Sequence, residues 1–198
     1  MFIELFCITV AVTDSSRYVL PAYLLFKGYL TGPHHNQPGS GSNFLCLHEE
    51  PQWATYFDGH QEPTGCVYGV AYGLYDSGVH QNNVFSATNS DGRELPRSMA
   101  PCAACYVQRR STILMIPART QCPDGWTKEY GGYLASELET GFNRKRSSYI
   151  CLDQAPEIAA TGISTFQGAI HPVEVQCGSL PCEVYRSGRE LTCVVCSK

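Results

Sequence analysis

The sequence predicts an all-β protein: two similar disulfide-stapled β lobes produced by an internal duplication. Three observations predict it. Eleven cysteines in 198 residues mark a secreted chain stapled by disulfides, because a cytosolic protein this small rarely carries so many. Short runs rich in β-branched and aromatic residues, such as Val67–Tyr72, Ser111–Pro117 and Leu191–Val195, are separated by Gly, Pro, Asn and Ser clusters, and read as strands. One series of residues is also written twice along the chain. The composition excludes other classes. With 43% apolar residues the chain is no disordered tail, and a net charge of −4 does not suit a nucleic-acid binder. No apolar run approaches ~18 residues, the length a membrane-spanning helix needs.

In chain order, residues 1–16 are nearly all apolar from 2 to 12, with Glu4 interrupting the run. They read as a signal peptide, a wrongly assigned or truncated start, or a genuine N-terminal strand. Cleavage there would remove Cys7 and leave an even number of cysteines. The first lobe, 17–106, holds Lys27-Gly28-Tyr29-Leu30, then Ser42-Asn43-Phe44-Leu45-Cys46-Leu47, then Pro51, and ends in Cys102-Ala-Ala-Cys105. The second, 107–198, holds Gly131-Gly132-Tyr133-Leu134, then Ser147-Ser148-Tyr149-Ile150-Cys151-Leu152, then Pro156, and ends in Cys193-Val-Val-Cys196. Loops are expected over Thr31–Ser42 and Ser77–Asp91. The all-apolar run Ile113-Leu114-Met115-Ile116 reads as a strand buried on both faces, and Leu134–Thr140 as the only segment that suits a helical turn.

The two CxxC pairs do not form a zinc knuckle. Cys105 and Cys193 are separated by 87 residues, against about 15–20 in a zinc ribbon. Neither do they suit redox catalysis, which places its thiols at a helix start, whereas these pairs end β-like segments. No metal and no cofactor is expected. In a strand, residues i and i+3 face opposite ways, so the two cysteines of each CxxC go to different partners. Gly178 and Pro181 favour a tight turn between Cys177 and Cys182, where a local bridge fits. Cys122, Cys151, Cys193 and Cys196 are left with three open connectivities.

The residues Cys122-Pro-Asp-Gly-Trp126, Gly132-Tyr133, Tyr149-Ile-Cys151-Leu, the Cys177/Cys182 pair and Leu191-Thr-Cys-Val-Val-Cys196 together resemble a lobe of the C-terminal noncollagenous domain of type IV collagen. The phrase Met115-Ile-Pro-Ala-Arg119 through Tyr130 is more similar to the short-chain, spongin-type collagens. Gly28-Tyr29, Asn43-Phe-Leu-Cys46-Leu, Pro51-Gln-Trp53 and Pro101-Cys-Ala-Ala-Cys105 carry the likeness into the first half, so it covers roughly residues 21–198. The resemblance implies the pairs Cys122–Cys196, Cys151–Cys193, Cys177–Cys182 and Cys46–Cys102. The family pattern also expects a Cys-Pro near Tyr18–Pro21 as partner for Cys105. This chain reads Tyr18-Val-Leu-Pro21 there, which leaves Cys105 to Cys7, to Cys66 or to no bridge.

The implied function is a secreted, non-enzymatic matrix module whose chains trimerise, with themselves or with related matrix chains. The apolar strand with Ile113 and Met115 is the candidate for core or edge pairing. The alternative is a secreted module that binds glycans or microbial surfaces. Its basis is charge: residues 1–100 carry four basic and nine acidic side chains, and residues 101–198 carry ten and nine. Arg144-Lys145-Arg146 is the candidate contact for sulfated glycans, although the bland reading is a solvated loop. His34-His35 reads as a surface pair. No Ser, Cys or Asp stands in a nucleophile context, so no enzyme is expected.

Overall fold

The chain is all-β, without a helix among the described residues. A computed structural model describes residues 5–7, 22–37, 39, 41–55, 57–59, 65–73, 95–107, 110–137, 147–161 and 167–198. The strands are β1 (Leu5–Cys7), β2 (Ala22–Gly32), β3 (Leu45–His48), β4 (Tyr68–Tyr72), β5 (Pro101–Val107), β6 (Ile113–Pro117), β7 (Thr127–Ser136), β8 (Ile150–Asp153), β9 (Gly168–Pro172) and β10 (Thr192–Ser197). They form one mixed sheet in the order β1-β5-β2-β4-β9-β7-β10-β6, with β3 added to β2 and β8 to β7. The pairings are antiparallel except at the centre, where β4 and β9 run parallel with Val70 opposite Gly168 and Tyr72 opposite Ile170.

The strand order has the same pattern from either end, and so do the registers. Gly28 faces His48 and Leu30 faces Cys46 across β2/β3, while Gly132 faces Asp153 and Leu134 faces Cys151 across β7/β8. A bulge displaces Leu25 where β2 meets β5, and Glu129 where β7 meets β10. The loop bonds agree as well. The Leu30 N–H donates to Ala100 O (3.0 Å) and the Leu134 N–H to Leu191 O (2.8 Å). The Tyr72 N–H donates to Ser98 O (3.0 Å) and the Val175 N–H to Arg189 O (2.9 Å).

Two apolar clusters hold the sheet. The larger draws on both halves: Leu30, Phe44, Val70, Tyr72 and Leu95 from the first meet Leu152, Ile158 and Ile170 from the second. Each such side chain contributes about 1.5–3 kcal/mol on burial. The Tyr72 hydroxyl donates to the Glu157 carbonyl across this junction, and burial raises the phenol's pKa far above its usual value. The smaller cluster gathers Ala103, Leu134, Cys151, Cys193 and Val195. Beside it, Arg110 and Glu129 form an ion pair at 3.3 Å with little solvent access, and Ser197 donates to the same carboxylate oxygen.

Three expectations change. Leu134–Ser136 belong to β7 rather than to a helical turn, because their backbone groups face β8 and β9. Ile113–Ile116 are not buried on both faces. β6 is last in the strand order, so β10 covers one edge, and Leu114 is 44% exposed. Thr31 and Gly32, expected in a loop, are the last residues of β2. Ser77–Asp91 lies outside the described residues, as does most of 1–16, of which Leu5–Cys7 pair with β5.

Candidate functional site

Four disulfides lie among the described residues: Cys46–Cys102, Cys122–Cys196, Cys151–Cys193 and Cys177–Cys182. The first ties β3 to β5 and the third ties β8 to β10, so each added strand is stapled across its neighbour. Cys193 and Cys196 go to different partners. Cys66 and Cys105 are half-buried and lie outside these four bridges. Cys66 bonds the Tyr68 phenol, which raises that phenol's pKa. Cys7 falls in β1, opposite Ala103. Ile113 and Met115 pack against the smaller cluster, paired through β6 to β10. Arg144, Lys145 and Arg146 lie outside the described residues.

The surface with most to offer comes from comparing positions that share a register. Leu47 and Leu152 hold equivalent places in β3 and β8, yet Leu47 is 41% exposed and Leu152 is 2% exposed. Continuing along each segment, Trp53 is 75% exposed where Ile158 is 5%. Before β4 and within β9, Val67 is exposed where Ile170 is buried. Leu152, Ile158 and Ile170 are buried because they sit in the first half's cluster with Leu30, Phe44 and Val70. Backbone bonds fix them there: the Ala159 N–H donates to Met99 O (2.9 Å), Met99 N–H to Ala160 O (2.8 Å) and Gly73 N–H to Ile170 O (2.9 Å).

The receiving side shows the reverse contrast. Phe44 is 5% exposed and its counterpart Tyr149 is 60% exposed. Ala71 and Met99 bridge each other and receive the second half; Glu174 and Glu190 make the matching bridge and are half-buried. One half therefore exposes the inserting face, with Leu47, Trp53 and Val67. The other presents the receiving face, exposed at Tyr149 and half-buried at Glu174 and Glu190. Burying these faces against each other would remove large aromatic and aliphatic area from water.

Other features are smaller. A cleft of about 270 Å³ between the halves is lined by Lys27, Tyr29, Glu49, Cys102, Glu157 and Ile158 among others. Among the described residues no group of three or more His, Cys, Asp or Glu side chains could hold a metal ion, and no helix is long and apolar enough to cross a membrane. The histidine pair is not a bare surface feature. The His34 and His35 rings stack at 4.6 Å, and Tyr68 meets His34 edge-on at 4.9 Å. Sequence reading missed this contact and the open face because both depend on strands far apart in the chain. Pro51-Gln-Trp53 beside Pro156-Glu-Ile158 was the available signal. No family model and no solved structure matches the chain.

Proposed function

We propose that the chain is a secreted, non-enzymatic assembly module of the extracellular matrix, a duplicated lobe whose copies join by repeating between chains the contact made within one. The matching registers, bulges and loop bonds support the duplication. The resemblance to the noncollagenous domain of short-chain collagens supports the matrix setting, and four disulfides fit an oxidising compartment.

One observation carries the assembly reading: the inserting face of the first half, exposed at Leu47, Trp53 and Val67, and the receiving face of the second, open at Tyr149, are counterparts of two faces already buried against each other. A contact that joins unlike faces is heterologous, and such contacts close into rings or run on as filaments. The family resemblance sets the ring at three chains, hence six lobes. In it Trp53 and Val67 of one chain enter beside Tyr149 and Glu190 of the next.

Size-exclusion chromatography with light scattering tests this. The wild type is expected as a discrete oligomer at micromolar concentration. Trp53→Lys and Tyr149→Lys, each blocking one face, are expected to be folded monomers. Their equimolar mixture should give a heterodimer, since one intact face of each kind remains. A monomeric wild type would remove the assembly reading. If that monomer were retained on heparin, the glycan-binding alternative, supported by the basic excess after residue 100, would take its place.

A further inference from the structure

The turn after β2 crosses the central junction of the sheet. Gln167 stands one residue before β9, and its carbonyl accepts two bonds from His35, one from the backbone N–H and one from ring Nδ1, both at 2.7 Å. The segment is tightly seated: a Cβ added to Gly168 would stand 3.1 Å from Pro33 O and 3.2 Å from Gly69 O. The neighbouring ring of His34 is held between His35 on one side and Tyr68 of β4 on the other. Its Nδ1 accepts from the Asn36 N–H at 3.2 Å. The turn thus touches both strands of the parallel pair.

The two imidazoles have different proton requirements. A ring nitrogen that bonds a carbonyl must carry a proton, so His35 holds Nδ1–H and keeps that bond whether neutral or charged. His34 needs a bare Nδ1 to accept from Asn36. Protonation there ejects the Asn36 N–H and places a positive charge against the stacked His35 ring, 4.6 Å away. We infer that the His34–His35 turn is a pH-sensitive clasp across the β4–β9 junction, closed while His34 is neutral and loosened when it takes a proton. The inference concerns a junction inside one chain and stands apart from whether copies assemble.

The surroundings of His34 act in this sense. Burial is the largest cause holding its pKa below the ordinary 6.5; the charge of His35 adds to it and a side-chain bond to Asn36 opposes it. From β4 it meets the Tyr68 phenol, itself bonded to Cys66. From the β9 side the turn meets the Gln167 carbonyl. Further along β9, the Glu137 carboxylate, just after β7, accepts the Ala169 N–H at 3.2 Å. A histidine with a lowered native pKa binds fewer protons folded than unfolded. Its contribution is therefore present above 6.5 and is lost as pH falls below it.

Hydrogen exchange by NMR on the whole chain tests the clasp. Between pH 7.5 and 5.0, after correction for intrinsic exchange, protection of the His35 and Gly73 amides should be progressively lost. Val194, in β10, should keep its protection. His34→Gln should abolish the fall, and His34→Phe should also abolish it while keeping a stacked ring. A wild type whose junction protection does not change with pH, or an equal fall in both variants, would overturn the inference. So would a His34 titration midpoint at or above 6.5, which the wild type alone reports.

Discussion

Gly132→Ala is expected to unfasten β8. A Cβ at this position would stand 1.9 Å from Leu152 O and 2.7 Å from Gln154 N, where real Cβ atoms keep at least 3.0 Å. Both obstacles are backbone, so no side chain can turn aside, and the strands must part by about 1 Å. β8 has little freedom to do so, because Cys151 ties it to Cys193 of β10. The four-residue pairing of β7 with β8 then loses its geometry, and Leu152 is drawn from the larger cluster. Two ladder bonds at about 1 kcal/mol each, plus roughly 1–2 kcal/mol of Leu152 burial, give a loss of about 3–4 kcal/mol. Urea unfolding followed by tryptophan fluorescence, under non-reducing conditions, measures it. Gly69→Ala is the control: nothing stands within 4 Å of its added Cβ, so stability should change by no more than about 0.5 kcal/mol. A Gly132→Ala loss below about 1 kcal/mol would refute the close-approach reasoning.

Two further outcomes are expected. Glu129→Gln leaves the shielded Arg110 guanidinium without its carboxylate and should cost about 3 kcal/mol, read by the same urea titration, because breaking one side of a buried pair exposes the desolvation cost of the other. Replacing Cys151 and Cys193 together by Ala opens a loop whose ends are 42 residues apart and should cost roughly 4 kcal/mol, whereas the same change at Cys177 and Cys182 should cost about 2 kcal/mol, because a short loop constrains the unfolded chain less; thermal melts of the two variants separate them.

Much of this architecture is legible in the residues. Alternation and β-branching locate β4, β6 and β10 to within a residue or two, and the repeated Gly-Tyr, Cys-Leu and CxxC phrases mark positions that fall in matching registers. The class of the fold follows from local signals of this kind. What is not legible is non-local. Nothing in Tyr68–Tyr72 announces a parallel partner at Gly168–Pro172, because parallel pairing leaves no turn signal between its strands. The run Ile113–Ile116 reads as fully buried, since an apolar stretch looks the same in a core and on the last strand of a sheet that uses one face. Leu47 and Leu152 are the same residue in the same phrase, and only the three-dimensional arrangement buries one and exposes the other. His34-His35 looks like two solvated side chains until Gln167 and Tyr68 are brought beside them.

The parallel join of β4 to β9 also sets a timetable. The second edge of β4 stays unpaired until Gly168 has been synthesised, and Leu30, Phe44 and Leu95 complete their cluster only with Leu152, Ile158 and Ile170. During translation the first half therefore waits with its receiving face open, while Cys46 must still find Cys102. Pairing over such separations is slow, and a slow step leaves time for competitors. The nearest competitor with a perfect fit is the second half of another nascent chain. The same surface logic that is proposed to join finished copies would then entangle unfinished ones, so yield should fall with synthesis rate, and a chain slowed after its first half should be prone to exchanging halves with its neighbours.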